Sequence, residues 1–151
     1  MRFSIFFAAM LLAAHTCVPK DKMVTKMLTM RLTTDGGLAG RGLGNVTVDA
    51  TTDANAPRVE TTDAARKSCN GTLTPEEKQR LRNLANAARP DLWQHEYPAP
   101  RGSGDMIHYT LTLGDRTTSW YGESPSDLPQ DARDLREALW GVRDRVARGC
   151  K

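Results

Sequence analysis

Residues 107–121 read IHYTLTLGDRTTSWY, and the fold class follows from them. Ile107, Tyr109, Leu111 and Leu113 alternate with His108, Thr110 and Thr112, the period-two pattern of a strand with one buried face. Gly114-Asp115 turns the chain, and Arg116 to Tyr121 returns it as the opposing strand of a hairpin.

The same alternation occurs upstream. Leu28, Met30 and Leu32 point one way, and Thr29, Arg31 and Thr33 the other. Gly36, Gly37, Gly40, Gly42 and Gly44 follow, five of nine positions. Val46, Val48 and Ala50 then alternate with Thr47 and Asp49. The connection is too long for a two-residue turn, so a second hairpin with a wide, irregular tip is predicted. Residues 51–72 change character: Thr, Asp, Ala and Asn dominate, and Val59 is the only sizeable aliphatic residue. They read as an exposed loop or a weak edge segment.

Two helices complete the pattern. Thr74 precedes Pro75 at the first helical position, and Glu77 completes a capping box. Leu81, Leu84, Ala85 and Ala88 form one apolar stripe that Pro90 ends, predicting a helix over 75–88. After a connection carrying Trp93 and Tyr97, the residues Leu128, Ala132, Leu135, Leu139, Val142 and Val146 recur at steps of three and four. That is one continuous apolar helical face. Residues 26–148 are therefore expected to form a single α+β domain, with about four antiparallel strands in two hairpins and both amphipathic helices on one face.

The first residues bear on compartment. Met1-Arg2 is a short positive segment, and Phe3 to Ala14 contains Ser4 as its only polar residue. The run is shorter than the roughly 20 residues that span a bilayer. It fits a secretory signal over 1–16, followed by a polar tether over 17–25. Cys17 directly follows, as in bacterial lipoproteins, although His15 departs from the small residues that lipid attachment favours. The exported chain is thus either held in the envelope through a lipid on Cys17 or free, periplasmic or secreted. Any membrane attachment would run through that lipid.

Export also bears on the other cysteines. Cys69 and Cys150 remain as a pair in an oxidising compartment, and a disulfide between them would close a loop of about 80 residues, stabilising by roughly 4 kcal/mol. The alternative is two unpaired thiols. No Cys-x-x-Cys occurs.

Composition excludes several classes of function. The net charge is +3, and removing residues 1–16 takes away only Arg2, leaving +2. Basic and acidic residues alternate without forming a stripe, so no nucleic-acid partner is expected. His95 and His108 are the only histidines outside the signal segment, and His95-Glu96 lacks a second histidine four positions on. No Gly-x-Ser-x-Gly elbow and no phosphate loop is present. The expectation is a monomeric binding protein with no metal, no cofactor and no enzymatic activity.

One further pattern lies in the order of the motifs. Gly36-Gly37-Leu38-Ala39-Gly40 follows a strand, and a second strand leads to Leu73-Thr74-Pro75-Glu76-Glu77. Pro90-Asp91-Leu92-Trp93 precedes Tyr109-Thr110-Leu111-Thr112-Leu113 and a final leucine-rich helix. From about Lys26 to Ala147 this order resembles the emfourin family, small inhibitors of thermolysin-like metalloproteases. The resemblance implies tight, non-covalent, reversible blocking of a secreted metalloprotease. The protease-binding residues are then expected at Gly36, Gly37, Leu38, Ala39 and Gly40. Glycines remove side-chain bulk, so this loop can bring its backbone close to a cleft, with Leu38 as an apolar anchor. Alternatively the glycines serve only positive φ angles in a turn. The competing function is an envelope lipoprotein acting as a structural or protein-binding module without a protease target.

Overall fold

A computed structural model describes residues 29–37, 42–49, 55–65, 67–99, 105–122 and 126–150. The chain runs through β1 (Met30–Gly36), β2 (Gly44–Asp49), β3 (Arg58–Asp63) and β4 (Ser68–Thr72), then α1 (Pro75–Ala87). A single 3₁₀ turn at Pro90–Leu92 leads to β5 (Ile107–Leu113), β6 (Arg116–Tyr121) and α2 (Gln130–Gly149). The strands form one sheet in the order β4-β3-β2-β1-β5-β6, with every neighbouring pair antiparallel. The fold is α+β, as expected. The segments assigned to export and tethering, with Cys17, lie outside the described residues.

The sheet has six strands where about four were expected, and the difference lies within residues 51–72. Most of this stretch is the β3–β4 hairpin, not an exposed loop. Its inward positions are Val59, Thr61, Cys69 and Gly71, which give no hydrophobic alternation. Thr61 is nonetheless buried, and its hydroxyl donates to the Cys69 carbonyl. Gly71 lies under α2, where an added Cβ would meet Val146 at 3.1 Å. The helix packs closely here and leaves little room at Gly71, and small side chains carry no strand signal.

Both predicted hairpins form. Leu113 pairs with Arg116 across a two-residue turn in which Gly114 has φ +64°. Positive φ at that position is what glycine tolerates. β1 joins the two hairpins, pairing with β2 on one side and β5 on the other from Met30↔Leu113 to Gly36↔Ile107. At β6 the connection residues 94–97 add a short parallel bridge: Tyr97 N donates to Ser119 O (2.8 Å) and Ser119 N to His95 O (3.0 Å). Tyr97 is buried, and its hydroxyl accepts from Gln94 N.

The inward face forms one core with α2, including Met30, Leu32, Leu111, Trp120, Leu135 and Leu139. α2 packs across β1 to β4, and α1 packs beside α2. The capping box of α1 is formed, with Glu77 N donating to Thr74 Oγ1 (3.2 Å) and Thr74 N to Glu77 Oε2 (2.9 Å). Arg145 of α2 also bonds both Glu77 oxygens, which ties the cap to the second helix. Burial works against the ionised Glu77. The bonds from Arg145 and the Thr74 amide, together with the Arg145 charge, outweigh it and hold this carboxyl below its ordinary range. The same bond raises Arg145, against its own partial burial.

Cys69 and Cys150 lie at bonding distance, with Cα atoms 6.1 Å apart, and join β4 to the end of α2. At the other end of α2, the Asp131 carboxylate accepts from Arg89 N (2.7 Å) and Trp93 Nε1 (3.2 Å). This pins the connection after α1 against the helix start.

Candidate functional site

The base of the glycine connection is held by a buried threonine. Thr34 follows Met30 and Leu32 in inward parity, and its Oγ1 donates to Gly44 O (2.6 Å) while accepting from Leu43 N (2.8 Å). Thr34 N donates to Asn45 Oδ1 (3.1 Å), and Gly42 N to Gly36 O (2.9 Å). These bonds bring the two arms of the connection together before its tip.

Four of the glycines adopt positive φ: Gly36 (79°), Gly37 (72°), Gly42 (64°) and Gly44 (107°). A Cβ at Gly42 would run into the Thr34 carbonyl, and one at Gly44 into the Thr62 carbonyl. At Gly36 it would come within 2.9 Å of the Met106 carbonyl. At Gly37 the obstacle is only the Ile107 side chain, at 2.7 Å. Glycine is therefore required here by the chain's own backbone, independently of any partner. Of the expected binding residues, Gly36 and Gly37 lie at the base of the tip. Leu38, Ala39 and Gly40 fall outside the described residues.

The returning arm reaches α2. Leu43 is exposed, and its carbonyl accepts from Arg143 Nη2. The Arg143 guanidinium lies over the Trp140 ring at 4.7 Å and bonds Asp144 at 3.0 Å. Trp140 meets Tyr109 edge-on at 6.4 Å, and Tyr109 stacks on the buried Trp120 at 5.5 Å. Leu43, Tyr109, Arg136 and Trp140 line a groove of about 440 Å³ beside the connection. Tyrosine, tryptophan and arginine are the side chains that most often dominate binding energy at protein interfaces.

Sequence reasoning placed the glycines but missed Thr34, Leu43 and the Trp140–Arg143 pair. Thr34 was legible through its parity with Met30 and Leu32. The contact between Leu43 and Arg143 spans 100 residues and left no local signal. His108 lies on the outward face as expected, 3.3 Å from Asp35 and with its ring tilted against that of Tyr121, centroids 4.6 Å apart.

Among the described residues, no three His, Cys, Asp or Glu side chains come together as metal ligands. Among the same residues, no helix is long and apolar enough to cross a membrane. No family model matches the chain, and neither a curated protein nor a solved structure matches it.

Proposed function

We propose that the protein is an exported inhibitor of a thermolysin-like secreted metalloprotease. It would act by non-covalent binding through the tip of the β1–β2 hairpin. The observation that carries this reading is the locked base of that tip, where Thr34, Asn45 and Gly42 hold the two arms together and Arg143 ties the returning arm to α2. A loop whose ends are already fixed loses less conformational freedom on binding, which raises affinity without new contacts. The motif order that resembles emfourins supports the choice of partner.

The test is a titration of thermolysin with the purified protein lacking residues 1–17. Stoichiometric loss of activity is expected, weakened by Gly37→Arg and by Leu38→Asp. Full protease activity in excess protein would overturn the inhibitor reading. Unchanged inhibition by both variants would remove the hairpin tip from it.

A further inference from the structure

Gly141 lies in the middle of α2, where glycine costs helix stability relative to alanine. Nothing inside the described chain requires it. A Cβ at Gly141 meets no atom within 4 Å, whereas one at Gly71 would press on Val146. The residue is exposed, so neither packing nor backbone geometry accounts for the missing side chain.

The open space above Gly141 is the cleft between α1 and α2. Gly141 and Arg80 border both of its hollows, the 440 Å³ groove and a neighbouring one of about 320 Å³. The charges along the cleft are unevenly satisfied. Arg133, Arg143 and Arg145 of α2 are each bonded to a carbonyl or carboxylate. Arg80 and Arg136 make no hydrogen bond or ion pair among the described residues. The Arg136 guanidinium rests over the Tyr109 ring at 5.9 Å, with its donors available. Glu137 is the one carboxylate lining the larger groove.

We propose that this cleft docks an acidic, extended segment of a partner protein. The partner backbone lies against Gly141, where no side chain stands in its way. Its carboxylates bond Arg80 and Arg136, whose planar guanidinium groups suit carboxylate geometry. An aliphatic or aromatic partner side chain sits between Leu43 and Trp140. A protein segment fits better than a row of phosphates, because Glu137 would repel a continuous polyanion and half the groove is apolar or aromatic. The proposal is independent of whether the partner is a protease.

An acetylated octapeptide alternating glutamate and leucine serves as the probe. It is titrated into ¹⁵N-labelled protein while the Trp140 indole N–H and the Gly141 amide are followed. Saturable shifts at both are expected, and Arg80→Glu with Arg136→Glu should weaken binding about tenfold or more through loss of charge-assisted bonds. Gly141→Ala should raise the melting temperature and weaken peptide binding, which separates docking from folding. No saturable shift overturns the proposal. So does equal binding of the lysine–leucine counterpart or of a DNA oligonucleotide. Peptide binding unchanged in a stabilised Gly141→Ala variant overturns it as well.

Discussion

The buried hydroxyl of Thr34 bridges the two arms of the glycine connection, donating to the carbonyl of Gly44 at 2.6 Å while the Leu43 amide donates to it at 2.8 Å. Valine matches threonine in shape but satisfies neither group. Thr34→Val should therefore destabilise the fold by about 1–3 kcal/mol, the cost of leaving buried polar groups unpaired. Urea unfolding measures this. A midpoint unchanged from wild type would mean that solvent replaces both bonds.

Gly44→Ala should be worse than an ordinary surface substitution. The added methyl group meets the Thr62 carbonyl, and φ at +107° is one that alanine avoids. A loss of roughly 2 kcal/mol or more is expected, from left-handed strain and the displacement of β3 together. Thermal unfolding of this variant beside Gly37→Ala checks the cause. Gly37 faces only the flexible end of Ile107, so its cost should be smaller. Equal costs would count against the steric argument.

The Glu77–Arg145 pair predicts acid sensitivity. The Glu77 carboxyl is lowered from its ordinary value of 4.5 in the folded state. Its stabilisation is therefore fully present above the unfolded value and is lost as pH falls through the folded one. Glu77→Gln should cost about 1 kcal/mol at neutral pH, as expected for a partly buried pair that also caps a helix. The difference between wild type and variant should shrink as pH is lowered from 7 to 3. A gap that widens toward acid would reverse the assignment.

Reduction should loosen the sheet edge. Cys69 and Cys150 are 81 residues apart, so opening their bond is expected to cost roughly 4 kcal/mol on chain entropy. Calorimetry with and without reductant reads the loss, and Cys150→Ser should behave like the reduced protein. Equal melting temperatures would mean that the pair is not bonded in solution.

Much of this fold was legible because its signals were local. The alternation over Ile107–Leu113, the capping box at Thr74 and the apolar stripe of α2 each sit within a few residues of chain. β3 and β4 were legible only as a weak edge segment, one of two readings, and not as a hairpin. Val59 is their only sizeable inward aliphatic residue; the other inward positions are threonine, cysteine and glycine, set close beneath α2 and tied to a distant cysteine. The site divides the same way. The glycines announced a turn with unusual backbone, but the groove beside it is assembled from Leu43, Tyr109 and Trp140, which only the fold brings together.

The inward side chains shrink across the sheet, from Trp120 and Tyr109 on one side to Cys69 and Gly71 on the other. The space between sheet and helix is thus a wedge, and its narrow end admits nothing beyond the contact between Gly71 and Val146. At that end size decides: a methyl group at Gly71 would sit 3.1 Å from the Val146 side chain, which must give way by a small shift however apolar the addition is. Substitutions on the outward face of β3 and β4 meet no such limit, so added bulk is felt first at the narrow end.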